Sequence, residues 1–256
     1  QDIGLTGSMD ADVVARAPYA GTSSATIGLR LSPGSVRHPA RGEHQVQVDY
    51  DTASATLQAK QGRAQSHLSV RLKTLGTLDA SLAFPLNLSG TTAPADASMQ
   101  GDINASLHDL SPLALFFPQL YQTRGRLDAS WQVRGTLQRP RLSGQLTLKD
   151  GAADIPRLGI HLRETRVSLS GDGSDVLKIT GRMHSGKGAL DLDGSIDLRT
   201  DDTWSAALRL HGSRFELANT PDIFLLAAPD LTLDARPRTL RLDGKIDIPE
   251  GRIAPK

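Results

Sequence analysis

"LRLDGKIDIPEGR", residues 240–252, repeats a pattern that the chain has already written twice, as "LDLDGSIDL" at 190–198 and "LSGQLTLKDG" at 142–151. Leu142, Leu192 and Leu242 recur at a spacing of fifty residues, each followed two positions later by Gly144, Gly194 or Gly244. Every second position in each copy is apolar or glycine, and a period of two is the side-chain alternation of a strand with two unlike faces. The chain is therefore read as all-β, and its function turns on what lies against the apolar face.

Working outward, the alternation begins in "SATIGLRLS" (24–32) and "HQVQVDYDTASATLQAK" (44–60) and resumes in "HLSVRLKTLGTLDASLAF" (67–84). "SPGS", "HPARGE" and "KQGR" punctuate these runs as turns. In the second half, strands follow one another across turns of a few residues, too short for a parallel crossover, so neighbours are expected to pair antiparallel as hairpins. The small, polar stretch "LSGTTAPADAS" (88–98) suggests a joint near residue 95, separating a strand region at 1–95 from a second β region at 96–256. One helix is expected near 111–122, with Ser111 as N-cap, Pro112 at the first helical position, Gly125 closing the segment and Pro118 kinking or shortening it. Leu113, Phe116, Phe117, Leu120 and Tyr121 would form its apolar stripe, plugging the end of a sheet or, alternatively, serving as a lid or membrane-contacting helix.

Composition narrows the function. Apolar residues make up 38% of 256, a thin core, and aromatic residues only 4%, so the buried surface is aliphatic and ring anchors for sugars or bases are scarce. The net charge of +1 comes from Lys and Arg scattered through the strands, which is no footprint for nucleic acid. There is no cysteine, which removes disulfides, thiolate metal sites and cysteine nucleophiles together. No stretch approaches about 18 consecutive apolar residues, and "QDIGLTGSMDADVV" begins inside an alternating pattern without an initiator Met, as a piece of a longer protein would.

Motifs that carry chemistry are weak. "GRMHSGKG" (181–188) satisfies Gly-x-x-x-x-Gly-Lys but puts Gly188 where magnesium binding needs Ser or Thr, and strand alternation follows where a helix is required. It reads as a hairpin turn. "GDGSD" (171–175) lacks the oxygen ligands and downstream Glu of a calcium loop and reads as another turn. The histidines, His38, His44, His67, His108, His161, His184 and His211, show no metal-ligand spacing beyond a loop-flanking His38 and His44. No Gly-x-Ser-x-Gly elbow is present, and Asp191 with Asp193 sits on the solvated side of a strand. The sequence names no catalytic centre, cofactor or metal.

The positions expected to face inward are Leu146, Leu148, Leu158, Ile160, Leu162, Val167, Leu169, Leu190, Leu192, Ile196, Leu198, Leu208, Leu210, Leu231, Leu233, Leu240, Leu242, Ile246 and Ile248. A two-layer sandwich fills its centre with side chains of mixed size, rings included. This lining is almost wholly Leu and Ile. Gly144, Gly194 and Gly244 share that face and would let the sheet curl or a ligand approach closely.

"GTLQRPRLSGQLTLKDGAADIPRLGIHLRETRVSLSGDG", "FELANTPDIFLLAAPDLTLD" and "LRLDGKIDIPEGRIAPK" resemble the C-terminal region of the TamB family, in the AsmA-like group, and "LSPLALFFPQLYQTRGRLDASWQVRGTL" resembles the segment upstream. The resemblance covers about residues 99–256; the first ninety-odd residues share only the alternating style. It implies an elongated, strongly curved antiparallel sheet, a taco-like half-open groove with an apolar interior and one short helix. It also implies a periplasmic protein, tethered to the inner membrane outside this stretch, that carries phospholipid between membranes and works with a TamA-like outer-membrane partner. The listed Leu and Ile side chains would then line a groove for acyl chains, while Asp191, Asp193, Asp197, Arg209 and Lys245 keep the other face in water. Two further readings stay open at this level: an assembly factor that holds outer-membrane β-strands at a sheet edge, and a closed adhesin-type β domain filled by its own side chains.

Overall fold

The computed structural model describes residues 4–16, 23–38, 46–86, 98–111, 113, 117, 119–136, 139–198 and 204–254. The strands within them fall in two units, residues 1–108 with 129–144, and residues 109–128 with 145–256. The first unit holds β1 (Gly4–Thr6), β2 (Met9–Arg16), β3 (Ser24–Leu31), β4 (Gly34–His38), β5 (Val46–Lys60), β6 (Arg63–Leu72), β7 (Gly76–Pro85) and β8 (Gln100–Leu107). The second holds β11 (Ile160–Asp172), β12 (Val176–Ser185), β13 (Gly188–Asp197), β14 (Ser205–Ser213), β15 (Phe215–Asn219), β16 (Ile223–Arg236) and β17 (Thr239–Ile253). The long strands β9 (Tyr121–Gly135) and β10 (Pro140–Ile155) contribute residues to both. The joint expected near residue 95 lies outside the described residues.

Each unit is an open antiparallel sheet built mostly from sequential hairpins. In the first, β5 takes β4 and then β3 along one edge and β6 along the other, and β7 and β8 follow. In the second, β11 to β14 pair in order, and β14 and β15 lie end to end along β16, which pairs onward with β17. Within the described residues the turn signals act as read, while "HPARGE" lies outside them beyond His38. Gln61 and Gly62 both take positive φ, 53° and 75°, the backbone that a two-residue hairpin with right-handed twist requires. "GRMHSGKG" is the β12–β13 hairpin, with Gly186 at φ 61°. "GDGSD" is the β11–β12 turn, where hydrogen bonds from Ser174 hold the Asp172 carboxyl below its ordinary range.

Among the described residues the expected helix does not form, and Pro112, Phe116 and Pro118 lie outside them. Ser111 and Leu113 lie in a 3₁₀ turn, and the backbone bonds Leu113 N to Leu110 O (2.9 Å), Phe117 N to Leu113 O (2.9 Å) and Leu120 N to Phe117 O (3.0 Å) mix three- and four-residue spacings. Tyr121, assigned to the helix by its apolar stripe, already belongs to β9, and Gly125 sits inside that strand at φ 131° rather than at a helix end. A helix of some ten residues with a proline inside it is marginal alone, whereas Tyr121 onward gains a continuous ladder.

The core is local rather than central. In the first unit Val48, Tyr50, Ala59, Ala64, Met99, Trp131 and Val133 are buried; in the second, Leu110, Ile160, Leu177, Ala206, Phe215, Ala218, Leu226 and Ala227. Arg214, at φ 47°, separates β14 from β15. From there β15 crosses the ends of the preceding hairpins: Ser185 Oγ donates to Glu216 O (2.9 Å) and Asn219 N to Leu158 O (2.7 Å). This strap buries Ile160, Phe215, Leu226 and Ala227 and closes one lip of the second unit's sheet.

Candidate functional site

The paired registers place the apolar alternates of the second unit in rows that run across the strands. One row is Leu169, Ile179, Gly194, Leu208, Leu233 and Leu242; beside it runs Val167, Gly181, Leu192, Leu210, Leu231 and Gly244. A third is Gly171, Leu177, Ile196, Ala206, Ala235 and Leu240, and Met183 with Leu190, then Pro229 with Ile246, belong to a fourth. The first two rows contain no buried residue. Their side chains are half-buried on β11 to β16 and exposed on β17, where Leu242 retains 55% of its surface. Directly opposed aliphatic side chains cover one another's flanks.

The glycine of each repeated copy has the same surroundings. A Cβ on Gly144 would collide with the Ser130 carbonyl and reach 2.9 Å from Trp131 Cα; on Gly194, with the Ala207 carbonyl and 2.9 Å from Leu208 Cα; on Gly244, with the Asp230 carbonyl and 2.9 Å from Leu231 Cα. The copies at 142, 192 and 242 thus repeat one device, a strand pressed against its neighbour where only glycine fits.

Other predicted positions fare differently. Leu146, Leu148, Leu162 and Leu198 are half-buried, and Leu198 follows β13, its N–H donating to Asp175 O (2.7 Å). Ile160 is buried beneath the strap rather than open to a guest, Leu158 sits in the turn before β11 at 44% exposure, and Ile248 is exposed on β17. The listed set changes phase between Leu162 and Val167, and a bulge between Arg163 and Arg166, with Glu164 at φ 49°, supplies the extra residue. Leu162 pairs with Ser185 as Val167 does with Gly181, so both face one side.

The opposite face is charged. Arg209 donates to Asp230 Oδ1 (3.1 Å), Arg182 approaches Asp191 (3.6 Å), and Asp193 lies between Thr180 and Arg209. Among the described residues no group of three or more His, Asp or Glu is placed to hold a metal. His161 and Asp154 meet at 2.6 Å as an exposed pair. No described helix is long and apolar enough to cross a membrane.

Sequence reasoning named no position on the apolar face of the first unit. Val13, Ile27, Leu57, Ser66, Leu82 and Gly101 form one row, and Ala11, Leu29, Ala55, Leu68, Ala80 and Ile103 the next. Ile27 and Leu29 retain 37% and 41% of their surface. Alternation at 24–32 and 67–84 signalled these rows, but alanine at every second place weakened the contrast.

An aliphatic face carried on strand after strand is the setting for comparison with known proteins. The pattern of the TamB N-terminal domain matches residues 1–148, more than half of the chain, and that of the TamB C-terminal domain matches residues 175–256. The chain belongs to the TamB family. Membership therefore reaches into the first ninety-odd residues, beyond the stretch whose wording resembles the family. A curated relative, the translocation and assembly module subunit TamB of Haemophilus influenzae, is 23% identical over 130 residues, 50% of this chain and 10% of that protein. No solved structure matches.

Proposed function

We propose that this chain is a segment of a periplasmic TamB-type bridge, anchored in the inner membrane through the parent protein, whose apolar face shelters phospholipid acyl chains passing between inner and outer membrane. The observation that carries this reading is the pair of neighbouring six-residue rows in which no Leu, Ile or Val is buried. A sixteen-carbon chain loses on the order of 12 kcal/mol when its methylenes meet water, at about 0.8 kcal/mol each. A continuous aliphatic face without a deep pocket offsets that cost along a path and offers no place to stop. The name borne by the Haemophilus influenzae relative supports placing the segment in a translocation and assembly module, with a TamA-like outer-membrane protein as partner.

The test is native mass spectrometry and lipid extraction of the chain purified without detergent, beside Leu208→Arg. Leu208 stands mid-row between Gly194 and Leu233. Wild type is expected to retain phospholipid and the variant to lose it, at a stability cost below about 2 kcal/mol because a half-open site lets the guanidinium reach water. Unfolding of Leu208→Arg, or equal lipid in both proteins, overturns the proposal.

A second reading rests on β17, whose residues from Thr239 to Ile253 are all exposed while one edge pairs with β16. Such an edge can add a strand from an unfolded outer-membrane β-protein. Crosslinks from β17 to a barrel-strand peptide, with no lipid bound, would favour it.

A further inference from the structure

The polar face of the second unit carries a trench of about 360 Å³ across β10, β11 and β12. Its lining consists of Lys149, Arg166 and Arg182, of Thr147, Ser168 and Thr180, and of Leu148, Val167 and Gly181. Arg166 and Arg182 are directly cross-strand partners, as are Ser168 and Thr180. Like charges facing each other on adjacent strands destabilise a sheet, and here each guanidinium has one carboxylate beside it. Asp150 stands 4.0 Å from Arg166 and Asp191 3.6 Å from Arg182, both beyond hydrogen-bond reach and neither lining the trench. Two planar guanidiniums and an ammonium together with three hydroxyls are the donor set that a tetrahedral oxyanion takes, with charge-assisted bonds from the cations and neutral ones from the hydroxyls.

We infer that this trench is a phosphate-binding site on the face opposite the aliphatic rows. It takes the phosphate group of a monoester or diester, whether free in solution or carried on a lipid headgroup. The site stands independently of the acyl-chain reading, since it uses none of the aliphatic rows.

The experiment is calorimetric titration of the whole chain with inorganic phosphate at low chloride, beside Arg166→Gln, Arg182→Gln and the double variant, with melting curves for each. Wild type is expected to bind saturably, each single variant about tenfold more weakly, as losing one charge-assisted contact implies, and the double variant not at all. In phosphate-free buffer Arg182→Gln is expected to melt close to wild type, because it removes both the repulsion from Arg166 and the attraction to Asp191. Co-sedimentation with phosphatidylglycerol vesicles, against phosphatidylcholine vesicles, identifies the source: Arg-dependent pelleting assigns a lipid headgroup, and phosphate binding without pelleting a soluble ester. Titration curves that are flat, or alike in wild type and double variant, overturn the site even if lipid still co-purifies through the aliphatic face.

Discussion

Gly194 and Gly28 are both strand glycines, yet an added methyl group meets different neighbours at each. At Gly28 it would touch only Asp12 Cβ, at 3.9 Å. At Gly194 it would be driven into the Ala207 carbonyl and toward Leu208 Cα, with β13 held between β12 and β14 and unable to yield to one side. Gly28→Ala should therefore be neutral or stabilising by about 0.5 kcal/mol, through lost freedom of the unfolded chain. Gly194→Ala should cost about 1–3 kcal/mol, as overpacking does. Urea midpoints of the two variants check this, and a Gly194→Ala midpoint equal to that of Gly28→Ala would show that the close approach does not constrain the sheet. The aliphatic spacing of the repeat was legible as strand alternation; the reason for its glycines was not, because the colliding carbonyl belongs to another strand.

At the scale of elements, what the sequence shows is periodicity, and what it hides is phase. β11 was legible as an apolar strand, but its face was ambiguous, since Leu162 and Val167 have opposite parity and only a bulge reconciles them. That bulge rests on Glu164 at φ 49°, a conformation that nothing in Glu's own preferences announces. The helix reading at 111–122 failed for a related reason: a local apolar stripe competes with a ladder partner that lies distant in sequence, and β9 takes Tyr121. Deleting Glu164 makes the phase of β11 testable. With the extra residue gone, a strand that keeps Leu162 opposite Ser185 runs on in regular register and still sets Val167 opposite Gly181 and Leu169 opposite Ile179. The second unit should then keep its cooperative melting transition, with the apolar residues of β11 on the same face as before. A deletion variant that lost the second unit's transition would mean that the bulge at Glu164 does more than set the phase of β11.

At the scale of the whole molecule, single-layer construction appears as surface. The chain exposes 16450 Å² at a mass of 27.3 kDa, where a compact chain of that mass exposes about 10,900 Å². Little of the excess can be polar by design, because 38% apolar content with rows of half-buried Leu and Ile leaves hydrocarbon in contact with solvent. Less area is then hidden on folding than in a two-layer protein of equal length, and the denaturant slope scales with that area. Summed over all unfolding transitions, the urea m-value of the lipid-free chain should fall about a fifth below that of compact proteins of 256 residues. Under the acyl-chain proposal guest hydrocarbon would bind the folded state alone, so adding short-chain phospholipid should raise the midpoint with its concentration. A lipid-free m-value equal to that of compact proteins would mean that the aliphatic faces are covered in solution, by a second copy or by collapse of the sheet, and a concentration series would separate the two: burial between copies weakens on dilution, whereas burial within one chain does not.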